Sequence, residues 1–201
     1  MRRRFLALVQ ACIVAAIMAA CAGSPAARFY TMSAAGDGLG SDGRVTGMAY
    51  SVAVGPVTLP DLIDRPQMVV RVATNQVKIV EEHRWAQPLG SEITRVVAGD
   101  LGKLLGNARV SSHTENTSAN ADYRVLLDVQ RFDAALGDAV TIEAQWELRS
   151  RADGKRQIGH SHFRQAVGGQ GYDSLVAAHA GVLESVSRDI AQAIQALRTI
   201  H

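Results

Sequence analysis

Apolar and polar residues alternate most cleanly in the second half of the chain. Tyr123, Val125, Leu127 and Val129 interleave with Arg124, Leu126, Asp128 and Gln130. Val140, Ile142, Ala144, Trp146 and Leu148 interleave with Thr141, Glu143, Gln145, Glu147 and Arg149. A period of two puts each set on one face of a strand, so this region predicts a sheet with one buried and one wet face. Leu136-Gly137-Asp138 supplies one turn, and Asp153-Gly154 a hairpin into a return strand around Arg156 to Val167. The period becomes helical between Leu89 and Leu105. Leu89, Ile93, Val96, Val97, Leu101, Leu104 and Leu105 form its stripe, with Glu92, Arg95, Asp100 and Lys103 outside it. Pro88 and Gly106 punctuate the two ends. Gly99 and Gly102 flank the stripe and fit either close approach to the sheet or a bend. After a break at Gly168-Gly169-Gln170-Gly171, Leu175, Val182, Leu183, Val186, Ile190, Ala193, Ile194 and Leu197 predict a closing helix from Tyr172 to Leu197, with His179 at its edge.

The first half is built from shorter runs. Val52, Val54 and Val57 form an apolar run broken at Gly55-Pro56. Met68 to Val72 and Val77 to Val80 are β-branched runs parted by Thr74-Asn75-Gln76, a hairpin signal. Phe29 to Met32 and Arg109 to Ser111 read as brief strands, and Ser112 to Ala121 as polar loop. Together these elements predict an α+β two-layer sandwich: a mixed, mainly antiparallel sheet with two helices packed on one face.

Residues 1–20 read as a signal peptide. Arg2, Arg3 and Arg4 form a basic start, and an apolar run leads to Met18-Ala19-Ala20-Cys21. Small residues before a cysteine are what a lipoprotein signal peptidase needs, so Cys21 is the expected lipidation site and first mature residue. Residues 21–28 are then a tether and 29–201 one periplasmic domain, with a Gly-rich flexible loop over 34–47. Ala22 rather than Asp follows Cys21, which points to the periplasmic face of the outer membrane.

This cleavage changes the charge. The whole chain has 21 Lys+Arg against 19 Asp+Glu, a formal charge of +2. Residues 1–20 carry three arginines and no acid, so the remainder has 18 bases against 19 acids, or −1. Without a basic cluster, nucleic acid is not an expected partner. Cys12 leaves with the signal and Cys21 is acylated, so no disulfide is expected in the fold.

Two short pieces are distinctive: Asp64-Arg65-Pro66-Gln67 and Arg84-Trp85-Ala86-Gln87-Pro88-Leu89. With the segment Val52 to Pro60, they resemble the ABC-type transport auxiliary lipoprotein family, also called PqiC-like. The resemblance implies an accessory lipoprotein of a system that moves lipid between the two membranes of a Gram-negative cell. It implies docking onto an MCE-domain protein, with a homo-oligomeric ring as one form of that docking. Asp64, Arg65, Gln67, Arg84 and Trp85 are the candidate partner-binding residues. A rigid Pro66 turn with an exposed Arg65 suits docking, although Asp64 and Pro66 are equally adequate as turn formers. Trp85 fits a core role, and alternatively an interface anchor beside Arg84.

No catalytic constellation stands out. His160 and His162 share a strand face, but a tetrahedral metal needs further ligands and none stands at a recognisable spacing. Glu81-Glu82-His83-Arg84 reads as a solvated strand end. Ser174 lacks a nucleophile elbow, and the glycine-rich 168–171 segment lacks the Lys-Ser/Thr of a phosphate loop. The expectation is a protein without catalytic residues, metal or cofactor. The competing readings are a cell-envelope hydrolase with an unfamiliar site, and an activator or structural subunit of another envelope machine.

Overall fold

The computed structural model describes residue 2 and residues 26–34, 50–112 and 120–199. Most of the signal, Cys21, and the loop over 34–47 beyond its first residue lie outside the described residues, as does most of the loop after Ser112.

The strands are β1 (Arg28–Tyr30), β2 (Tyr50–Thr58), β3 (Gln67–Ala73), β4 (Gln76–Trp85), β5 (Ala108–Ser112), β6 (Tyr123–Ala134), β7 (Ala139–Ser150) and β8 (Arg156–Ala166). The helices are α1 (Leu89–Leu105), between β4 and β5, and α2 (Tyr172–Thr199), at the end. The architecture is α+β, with two helices packed against mixed sheets. The strands divide into a five-stranded sheet, order β5-β2-β6-β7-β8, and a three-stranded one, order β1-β4-β3.

The alternation seen in the sequence sets the larger sheet. In the antiparallel β6–β7 pair, Val125 faces Leu148, Leu127 faces Trp146 and Val129 faces Ala144. A bulge between Val129 and Arg131 then resets the phase, which brings Phe132 and Ala134 inward as well. The β2 strand does not stop at Gly55-Pro56. It runs on to Thr58 through a register shift between Val54 and Val57, with Gly55 at φ 109°. It pairs in parallel with both β5 and β6, and its consecutive buried Val52, Ala53 and Val54 fit a strand covered on both sides. Gly137 and Gly154 take positive φ at the two turns the sequence marks.

Trp146 packs directly over its cross-strand partner Gly159. A Cβ at Gly159 would lie 2.0 Å from the Trp146 ring, so only glycine leaves room for the indole. The two sheets are joined by Arg71 on β3, whose guanidinium donates to both carboxylate oxygens of Asp133 on β6. Burial works against the Asp133 charge, but the hydrogen bonds from Arg71 and Arg131 outweigh it and hold the pKa below the usual carboxylate value.

The apolar stripe of α1 is buried as the pattern predicts, but two of its charged residues are not on a wet face. Glu92 and Asp100 are fully buried, at 0% and 1% exposure. Glu92 accepts from the Met32 N–H at 3.2 Å, from Gln87 Nε2 at 2.5 Å and from Arg95 Nη2 at 2.8 Å. Arg95 also donates to the Met32 carbonyl. The Glu92–Arg95 pair therefore clamps the segment after β1 onto α1. Asp100 accepts from Ser187 Oγ at 3.3 Å, a buried contact between the helices. Gly99 does allow a close approach, but to that same segment: its Cβ would lie 2.8 Å from the Ala34 Cβ. Replacing Glu92 with Leu leaves the Met32 N–H without its acceptor. Urea denaturation should show a loss of about 2 kcal/mol, with Glu92→Gln recovering part of it.

Candidate docking site

The two distinctive sequence pieces fold into one corner. Pro60 closes the first turn, its carbonyl accepting from the N–H groups of Ile63 and Asp64 at 3.0 and 3.1 Å. The chain then enters β3, and the Pro66 carbonyl accepts from the Trp85 N–H at 2.7 Å. Gln67 lies opposite Arg84 in the β3–β4 register, and both side chains donate to Glu81 Oε2 at 3.1 Å. Thus Asp64, Arg65, Gln67, Arg84 and Trp85, separated by up to 21 positions in the chain, share one end of the small sheet.

Their exposures differ from the sequence reading in one case. Asp64 and Pro66 are exposed, but Arg65 is half-buried, and its Nε is buried without a hydrogen-bond partner. The turn folds back on itself through the Arg65 N–H to Ile63 carbonyl contact, which draws the arginine stem inward. Arg84 is half-buried and tied to Glu81. Trp85 is 5% exposed and belongs to the core. Its indole meets His179 edge-on at 5.3 Å, and Phe132 meets the same imidazole at 4.8 Å. His179 is therefore a core residue of α2, not a helix-edge one. Its Nδ1–H donates to the Leu175 carbonyl at 2.7 Å, and burial drives its pKa down to about 4. The imidazole is neutral in the folded protein at neutral pH.

A groove of about 810 Å³ opens beside this corner. It runs between α1 and the free edge of β5, with Asp64 and Pro88, one from each distinctive piece, on its rim. Gly90, Ala98, Gly99 and Gly102 form its helical wall, and a Cβ at Gly102 would meet nothing within 4 Å. Sequence reasoning missed this groove. Its signal was the small residues on the flank of α1, which keep that side low.

The remaining candidates stay apart. His160 and His162 sit on the exposed face of β8, with His162 Nε2 at 3.8 Å from Glu143. Among the described residues, no group of three or more His, Cys, Asp or Glu is placed to hold a metal ion. His83 is no free strand end: its ring stacks on Tyr172 at 3.5 Å, and its Nδ1 lies 2.8 Å from the Tyr30 hydroxyl.

Residues 30–191 match the model of the ABC-type transport auxiliary lipoprotein component family. The chain belongs to that family. This is a family of auxiliary transport components and not a known enzyme family, so this auxiliary lipoprotein component is part of ABC-type transport. No curated protein matches it significantly. Among solved structures, an uncharacterized protein aligns at TM-score 0.68 with 21% identity, covering 85% of this chain and 99% of that one. The Xanthomonas campestris protein XCC0632 aligns at 0.63 with 18% identity, covering 82% and 93%. Both share the fold of the auxiliary component. A subunit of the PelC dodecamer of Paraburkholderia phytofirmans aligns at only 0.40, with 17% identity over 69% and 88%, too distant to bear on assembly. Among the described residues of the auxiliary component, no helix is long and apolar enough to cross a membrane.

Proposed function

We propose that the protein is a non-enzymatic accessory subunit of an MCE/ABC-type intermembrane lipid transport system, held to the periplasmic face of the outer membrane by acylated Cys21. The observation that carries this reading is the family match across residues 30–191. The Met18-Ala19-Ala20-Cys21 site followed by Ala22 supports the anchor and its address. The corner where the two distinctive pieces meet supports docking: its backbone is fixed by the turn at Pro60 and the Pro66–Trp85 hydrogen bond, so little freedom is lost on binding. In this reading Asp64 on the groove rim contacts the MCE-domain protein, while Arg65, Gln67, Arg84 and Trp85 hold the corner in shape. Copies of the chain assemble as a homo-oligomeric ring around the same partner.

Affinity purification of the acylated protein from its own envelope tests the reading. An MCE-domain protein should co-purify, and Asp64→Lys should reduce its recovery about tenfold, equivalent to about 1.4 kcal/mol, with unchanged thermal melting. Cys21→Ser should abolish palmitate labelling and release the protein from the membrane fraction. Recovery of a different envelope machine, with no MCE-domain protein, would sink the assignment.

A further inference from the structure

We propose that the tip of the β3–β4 hairpin rests on the lipid surface that holds the acyl anchor, and so sets which way the domain faces. This rests on the acylation of Cys21 proposed above. The geometry begins with β1, which runs parallel to β4 with Arg28 opposite His83. Followed backwards from Arg28, the chain therefore heads toward the start of β4 at Gln76 and the turn at Thr74 and Asn75. Ala26 and Ala27 line one hollow with Lys78 and Val80.

Reach limits where the membrane can be. Five residues from Ala26 back to Cys21 span at most about 18 Å. In the same register Ala26 is level with Glu81, and the five residues of strand from Glu81 back to Gln76 span about 17 Å. Along this direction the anchor cannot lie appreciably beyond the hairpin tip. A leaflet within that reach on that side meets the tip.

The chemistry of the tip suits such a surface. Between Gln67 and Val80 the chain has no Asp or Glu. Val72 is 53% exposed and Ile79 38% exposed, although most branched side chains of this domain are buried. Lys78, next to Ile79 in β4 but on the other face of the hairpin, is exposed, while the charge of Arg71 is taken by Asp133. Two apolar branched side chains and an exposed lysine match the boundary between acyl chains and phosphate headgroups. One cation contributes modestly, on the order of 1 kcal/mol at an anionic surface, so the tip orients a domain that the acyl chains already hold.

The test uses the full acylated protein in vesicles of phosphatidylethanolamine with a minority of phosphatidylglycerol. Asn75→Cys at the tip and Ala152→Cys at the β7–β8 turn each receive an environment-sensitive fluorophore; acylated Cys21 offers no competing thiol. The β7–β8 turn lies at the far end of β6, roughly 35 Å along the strand from Asp133. Quenching by headgroup-level spin-labelled lipid should be several-fold stronger at residue 75 than at residue 152. Combining Asn75→Cys with Val72→Asp and Lys78→Glu should remove that difference with circular dichroism melting unchanged. Equal quenching at both sites, or a difference that survives the two added substitutions, overturns the proposal. Mass spectrometry of the purified chain separates the two claims: a chain without acyl groups overturns the Cys21 assignment itself and the docking surface with it.

Discussion

Trp146→Ala and Trp85→Ala should each lower the free energy of unfolding by about 3–5 kcal/mol, read by urea denaturation. Both indoles are 5% exposed, so truncation leaves a cavity that the surrounding sheet can only partly close. At Trp146 a polar chain is lost as well. Its Nε1–H donates to Ser161 Oγ at 3.1 Å, and Ser161 donates in turn to Asp189 on α2 at 2.7 Å. The indole thereby ties β7 through β8 to the closing helix. At Trp85 the loss falls on the edge-on contact with His179. A change below about 1 kcal/mol at Trp85 would contradict its core position and return it to an interface role.

Acid should destabilise the domain well before its carboxylates titrate, because of His179. Its pKa is lowered to about 4 in the folded state, against 6.5 when unfolded. Between those values the unfolded chain binds the proton and the folded chain does not, so stability falls as pH drops. The contribution is intact above pH 6.5, declines from there to about pH 4, and levels off below. At about 1.36 kcal/mol per unit, the full loss is about 3 kcal/mol. His83, whose pKa is lowered by burial and then by Arg28, adds in the same direction. Denaturation midpoints at pH 7 and pH 4.5 measure the effect, and His179→Phe should remove most of the difference. A wild-type midpoint independent of pH in this range would mean that His179 accepts its proton without leaving the core.

The elements legible in the sequence were those fixed by local pattern. The boundaries of α1 follow from Pro88 and Gly106, and the β6–β7–β8 meander from unbroken alternation and its two glycine turns. What stayed hidden depended on partners remote in the chain. Glu92 looks like a wet-face residue because its periodicity is read without Met32 and Gln87, whose hydrogen bonds make burial tolerable. The parallel pairings of β1 with β4, and of β2 with β5 and β6, join segments that no local turn connects, so one apparent sheet divides into two. At the corner where the two distinctive pieces meet, the residue types were visible, and so was the stiffness of the turn. The inward stem of Arg65 and the groove along α1 were not, since both arise from how the small sheet meets the helix.

The fit of Trp146 over Gly159 also limits how this domain can be varied. Alanine is the mildest change at position 159, yet its methyl group falls inside the ring opposite. A library that diversifies either position alone would mostly sample misfits at 159 or holes at 146. The two must be mutated as a linked pair, with volume added on β8 only as it is removed from β7.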